Sequence, residues 1–536
     1  MRPLTPFVLL SGLAWPLPLW AEDAPLSAID WLSRSVATPV AVAPAQPGGG
    51  APKAGLSPRA SVAVRPPVAG EAPVSGLRDE PVQMSDIGVP SADGIGLVSA
   101  AKSGLPVDLW GDTPEAQLAG LLRKERVDTL PSVQSFLIEL MLTELAPPRN
   151  PAPDARNTLF LARVDRLLDI GALDQAMALL ELAPNEDAEI FRRRFDVALL
   201  LGEEDKACAI MAQTPGVAPS FPARVFCLAR SGDWQAAALS YDSGMALGAI
   251  DAEMGELLAR FLEPELADSA EPLPPPTRPS PLVFRMMEAI GEPLPTGPLP
   301  LAFAHADLKE NAGWKAQIEA AERLTRMGVL DPNQLLGLYT QEKASASGGV
   351  WDRVMVIARL DAALGSGKPA RVAQLLPAAW DAMQSQELEP ALAAMFGARL
   401  MAETLPEDAA RIRFHLGLLG DDFEAVARAH SPLDPDEEIL RGIALGDTSG
   451  LEAQDQLGLM LKRVFDAPSA AAPAAFAELL PGREGEALLN ALDDITEGAR
   501  GDYRRVENGL LLLRSLGQET VARRTAIEML VLERNG

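Results

Sequence analysis

Residues 167–184 read LLDIGALDQAMALLELAP, and two later passages repeat the pattern without gaps: ALLLGEEDKACAIMAQTP over 198–215 and LARSGDWQAAALSYDSGM over 228–245. Their glycines, Gly171, Gly202 and Gly232, lie 31 and 30 residues apart, and each is followed five positions later by an alanine: Ala176, Ala207 and Ala237. Apolar residues at three- and four-residue spacing on both sides predict a helix before each glycine and another after it. Glycine ends the first helix in a left-handed conformation that other residues adopt only at a cost, and the alanine lets the second helix lie close to its partner. Each unit is therefore expected to be a helix hairpin, stacked on the next so that neighbours share one apolar core.

The same device recurs outward from this block. Gly420 precedes Ala425 and Gly517 precedes Ala522 by the same count, and Gly365 with Ala370 is a further candidate. Upstream, Thr113-Pro114-Glu115 supplies a capping residue and a proline for a helix start, with Leu118, Leu121 and Leu122 on its apolar side. Between Pro131 and Leu145, Val133, Phe136, Leu137, Leu140 and Met141 form one stripe, and Glu139 and Glu144 fall off it. The chain from Thr113 onward is thus expected to be all-α.

This pattern resembles the tetratricopeptide repeat, most clearly over 166–245, where Trp234 stands two past its glycine at a position that family often fills with an aromatic. The units are shorter than the family's usual length of about 34 residues, and the first-helix aromatic signature is poor. The resemblance implies a right-handed α-solenoid of degenerate repeats, with a concave face for a protein partner.

Composition sets the boundaries. After Met1 and Arg2, an apolar run from Phe7 to Trp20 is too short for a bilayer span of about 20 residues and ends at Ala21 before Glu22-Asp23, as a cleaved secretory leader over 1–21 would. Residues 22–36 hold Leu26, Ile29 and Leu32 at three-residue spacing beside Trp31, a short amphipathic segment suited to docking on a partner. From 37 to 112 Pro, Ala, Gly and Ser dominate, which reads as a disordered linker. A second proline-rich stretch, 264–300, divides a helical lobe over 113–263 from another over 301–536. Within it Leu282, Phe284, Met286 and Met287 suit one short buried helix.

The 536 residues carry 47 Lys and Arg against 74 Asp and Glu, a formal charge of −27, which argues against binding a phosphate backbone. With 3 His and 2 Cys, dense metal clusters and multi-disulfide scaffolds are excluded by inventory. Cys208 falls early in the second helix of one unit and Cys227 late in the first helix of the next, places that stacking of such hairpins would bring face to face, so export would favour a disulfide contributing about 3 kcal/mol in the loop-entropy account. Two separately buried thiols are the alternative. His305, His415 and His430 fit no metal-ligand spacing, and no nucleophile elbow, phosphate loop or dinucleotide fingerprint is present. No cofactor, metal or catalytic residue is expected.

Trp351 and Arg353, after the flexible stretch from Ser345 to Gly349, and Trp314, after Gly313, are candidate partner-binding residues, because Trp and Arg are enriched where binding energy concentrates. The leading expectation is a periplasmic or secreted, non-enzymatic helical-repeat scaffold that binds a protein partner and has no membrane span after cleavage. Two alternatives stay open. One is an accessory protein of an envelope machine, since leader, proline-rich tether and acidic helical body resemble the plan of periplasmic motility proteins that attend the flagellar stator. The other is a secreted hydrolase or polysaccharide-processing factor with its site between the lobes.

Overall fold

The computed structural model describes residues 91–532, apart from 151–155, 215, 266–270, 345 and 470–471. Among the described residues the strands are one parallel pair, β1 (Val98–Ser99) and β2 (Thr143–Glu144), with Val98 opposite Thr143. Everything else regular is helical. In chain order come α1 (Ala100–Ser103), α2 (Glu115–Lys124), α3 (Pro131–Leu142), α4 (Thr158–Asp169), α5 (Leu173–Glu181), α6 (Ala188–Leu201), α7 (Glu204–Gln213), α8 (Phe221–Arg230), α9 (Trp234–Ala246), α10 (Ala252–Leu262) and α11 (Pro281–Ala289). A 3-10 stretch at Leu301–Leu308 leads to α12 (Trp314–Arg326), α13 (Pro332–Gln341), α14 (Val350–Gly365), α15 (Pro369–Gln384), α16 (Glu389–Met401), α17 (Glu407–Leu419) and α18 (Phe423–Ala429). The chain ends with α19 (Pro435–Leu445), α20 (Gln456–Asp466), α21 (Glu484–Gly498), α22 (Tyr503–Ser515) and α23 (Glu519–Val531).

Helices adjacent in sequence pack on one another through α4 to α11 and again through α12 to α19. The turns between them share one hydrogen-bonding device. Past Gly171, Gly202, Gly232 and Gly517, all in the left-handed region, the amides of Ala172, Glu203, Asp233 and Gln518 donate back to the carbonyls of Leu167, Ala198, Leu228 and Leu513. That closure satisfies carbonyls the helix end would otherwise leave bare. Ala176, Ala207, Ala237 and Ala522 are buried at the start of the following helix, which is the close approach their size permits.

Two of the expected pairs do not work this way. Gly420 is extended, with φ −84° and ψ 177°, and Ala425 is exposed, while Ala427 turns inward instead. Gly365 is the last residue of α14 and Ala370 is exposed; the left-handed turn belongs to Gly367, and the buried residue five further on is Val372. The linker expected over 37–112 also ends earlier than its composition suggests. Residues 91–112 are folded, with Ala92, Leu105, Leu109 and Trp110 buried. They are held by distant parts of the chain, so no periodicity of their own announces them.

The two ends of the described chain meet. α2 packs on α21, and α3 packs on α23. Gln117 donates its amide to Glu486 at 2.7 Å, the Ser132 amide and hydroxyl donate to Glu528 at 2.9 and 2.7 Å, and Arg500 pairs with Asp128 at 3.1 Å. Gly485 leaves room for the Trp110 indole, which would lie 2.6 Å from a Cβ added there. Glu528 thereby caps the α3 N-terminus from nearly four hundred residues away. Near 300 the chain returns to the first hairpins, where His305 Nε2 donates to the Gly171 carbonyl at 2.6 Å. The main core draws on buried residues from Ala92 to Leu532, and α11 joins it through Leu282, Phe284, Met286 and Met287.

Closure traps a carboxyl. Glu125, at the end of α2, is buried between Arg166 of α4 and Asp493 of α21, and burial pushes its pKa up to about 8 despite Arg166. A carboxyl raised in the folded state from 4.5 contributes stability in full below about pH 4.5, and that contribution is lost as pH rises toward 8. Asp196, raised to about 7 by burial, acts in the same direction, whereas His415, lowered to about 4 by burial, costs stability as pH falls below 6.5. Glu125→Gln is therefore expected to leave stability at pH 4 nearly unchanged and to raise it at pH 8 by on the order of 3–5 kcal/mol. Urea midpoints measured across that range check this; a slope identical to the parent's would remove Glu125 as its source.

Candidate protein-interaction surface

The third repeat carries the surface. Ser220 caps α8, its hydroxyl accepting the Ala223 amide at 3.2 Å, and Asp233 caps α9 by accepting the Ala236 amide at 3.0 Å. Between the two helices Gly232 makes the left-handed turn. The α9 sequence has no Lys, Arg or Glu, so periodicity alone leaves its inner face undetermined. Packing decides it. Ala237 and Gly244 face the body, and Gly244 is pressed so closely that an added Cβ would lie 2.6 Å from Ile250 and 2.9 Å from Phe221.

The large apolar residues of α9 are exposed. Trp234 is 52% exposed, Leu239 69%, Met245 39% and Leu247, just past the helix, 76%. Small side chains face the body, while the large apolar ones are spread round the rest of the helix and its end, with exposed Gln235 and Asp242 opposite Ala237 and with Met245 Sδ against Gly255 of α10. Leaving one large aliphatic side chain in water forgoes about 1.5–3 kcal/mol of burial, and a cluster of such residues on one helix marks a surface that another molecule covers. Asp233, the cap of α9, and Asp242 are also exposed.

A disulfide stiffens the neighbouring hairpins. Cys208 of α7 and Cys227 of α8 are bonded, with 5.1 Å between their Cα atoms, so the second unit is stapled to the third. Beside it lies a groove of about 420 Å³ lined by Met211, Ala218 and Leu228, with Arg224 and the Arg230–Asp205 ion pair. The groove reaches Ser231, next to the Gly232 turn that starts α9.

Trp314, Trp351 and Arg353 come together, but inward. The two indoles are 5.0 Å apart between ring centroids and half-buried, and Trp314 Nε1 donates to the Leu338 carbonyl at 2.9 Å. Arg353 is bidentate to Glu322, at 2.8 and 2.5 Å, and the Tyr339 hydroxyl donates to the same carboxylate at 2.8 Å. Burial and the adjacent Glu322 charge hold the Tyr339 phenol well above its usual range. These residues join α12, α13 and α14, and the Nε–Nη2 edge of Arg353 is taken by Glu322.

Leu26, Ile29, Trp31 and Leu32, with the leader over 1–21, lie outside the described residues. The α9 cluster was not among the residues singled out from sequence. Its signal, an apolar helix with one acidic residue closing a run of repeats, reads equally well as core. The histidines are separately engaged: His305 as above, His430 Nε2 2.7 Å from Glu437 and stacked on Phe414 at 3.6 Å, and His415 beside Trp380. Among the described residues no group of three or more His, Cys, Asp or Glu is placed to hold a metal ion, and no helix is long and apolar enough to cross a membrane. Compared with known proteins, the chain matches no family model, no curated protein and no solved structure.

Proposed function

We propose that this chain is an exported scaffold of degenerate tetratricopeptide-like hairpins that binds a protein partner through the outer face of α9. The observation that carries this reading is the exposure of Trp234, Leu239 and Leu247 on and just past a helix whose buried residues are Ala237 and Gly244. Among them Trp234 is an exposed aromatic of the kind that anchors binding energy. The flanking aspartates and the net charge of −27 favour a partner whose apolar patch is rimmed by basic groups. The Cys208–Cys227 disulfide supports an oxidising compartment, in keeping with the leader-like N-terminus. Glycine turns with one shared closure support the repeat reading, although here the array bends until its ends touch.

The test is a triple variant, Trp234→Ala with Leu239→Ser and Leu247→Ser, compared with the parent by crosslinking and affinity purification from cells. The variant is expected to melt within a few degrees of the parent, because the altered side chains are exposed, and to lose the partner. Recovery of the same partner by the variant would move the interface elsewhere; recovery of no protein by the parent would sink the scaffold reading.

A further inference from the structure

The third repeat carries an apolar hole and an apolar knob side by side. The hole is the groove of about 420 Å³ between α7 and α8, made apolar by Met211, Ala218 and Leu228. The Cys208–Cys227 bond forms part of its wall, so a covalent tie holds its two sides together. The knob is Trp234, 52% exposed, three residues past Ser231 where the groove ends. An indole offers a large apolar area on a side chain with few rotamers, which suits it to filling such a groove.

Charge matches the two shapes. In the surrounding helices Arg192, Arg193, Arg194, Arg230, Arg260 and Arg285 are each paired with a carboxylate. Arg224, at the groove, is not: it is exposed, and among the described residues it makes no ion pair or side-chain hydrogen bond. An unpaired guanidinium beside an apolar groove is complemented by a carboxylate next to an apolar side chain. Asp233 and Trp234 supply that pair in sequence. Asp233 is exposed and caps α9 with Oδ1 alone, accepting the Ala236 amide at 3.0 Å, which leaves its other oxygen for an incoming donor.

We infer that the chain pairs with a second copy of itself through the third repeat, the Trp234 indole of each copy filling the groove beside the other's disulfide and Asp233 of each pairing with the other's Arg224. Knob and hole on one hairpin are satisfied together by a two-fold axis, which makes the contact isologous and closed at two copies. The net charge of −27 sets two copies repelling one another. Along α9 that repulsion is locally reduced, because Asp242 is its sole charged residue and the unpaired Arg224 stands beside it. The inference rests on the reading of α9 as an interaction surface and names the partner: a groove edged by Arg224 and Arg230 is an apolar patch rimmed by basic groups.

Sedimentation velocity on the full chain, from low micromolar to the highest soluble concentration, is expected to show a reversible monomer–dimer equilibrium. Trp234→Ala, which by symmetry removes both anchors, is expected to weaken it roughly a hundredfold. Asp233→Asn keeps the α9 cap, since asparagine caps as well as aspartate, and Arg224→Gln removes the guanidinium alone. Each is expected to weaken the dimer about tenfold, and the double variant no further than either single one, as groups in direct contact require. All the altered side chains are exposed, so each variant is expected to melt within a few degrees of the parent. The inference is overturned by a chain that stays monomeric throughout, by a dimer that Trp234→Ala leaves as tight as the parent's, or by Asp233 and Arg224 effects that add. A monomeric chain from which cells still yield a different protein, lost when α9 is altered, would overturn the second copy and leave α9 as the interface; a chain that yields neither would sink both readings.

Discussion

Arg163→Leu is expected to lower stability by on the order of 4–6 kcal/mol and to detach residues 91–99 from the body. Arg163 is wholly buried in α4, and its guanidinium is the hub through which the N-terminal segment is attached. Nε donates to the Met141 carbonyl at 2.8 Å, one terminal nitrogen to Met141 and Thr143, and the other to Asp93 and Ile95. Burial lowers its pKa to about 10, so it stays charged at neutral pH. Leucine would leave carbonyls of four residues without their donor in a site water does not reach, and each such group costs about 1–3 kcal/mol before relaxation. Lysine should restore less than half of the loss, because one ammonium cannot span carbonyls on both sides as a planar fork does. Urea unfolding gives the magnitude and hydrogen exchange at 92–99 gives the location; a loss under about 1 kcal/mol would mean that the segment is held chiefly by its apolar contacts.

The second large effect is expected at Arg353. Arg353→Ala should cost about 3–5 kcal/mol, because it leaves the Glu322 carboxylate, 3% exposed, with only the Tyr339 hydroxyl as a donor. The double variant Glu322→Met with Arg353→Met should recover most of this loss, since removing both charges removes the uncompensated one. Single and double variants are compared by urea midpoint. A binding role for Arg353 predicts the opposite pattern, weakened partner capture with stability unchanged.

How far the fold could be read from sequence depended on how far apart the interacting residues lie. The turns at Gly171, Gly202 and Gly232 were legible because each closes between residues five positions apart, and the Cys208–Cys227 pair because its helices belong to successive hairpins. Gly420 and Gly365 misled because glycine permits a left-handed turn without requiring one. At Gly420 the chain runs extended, and at 365 the turn falls two residues later. The binding candidates show a different limit. Trp and Arg are favoured both at interfaces and in well-packed interiors, and only the structure shows that Arg353 is paired with Glu322. α9 is the converse case: Leu239 and Leu247 look like core residues, and nothing local reveals that no helix covers them.

Local chemistry therefore determined the helices, their glycine turns, the pairing of neighbours and the acidic character of the whole, all from interactions spanning at most one hairpin. Tertiary structure alone decided three other things: that α2 and α3 meet α21 and α23, that residues 91–112 belong to the folded body, and which apolar groups stay exposed on α9. Hydrophobic patterning states how much each side chain gains by burial, but burial itself is set by what else arrives there. For Trp110 that is Gly485, and for Ser132 it is Glu528.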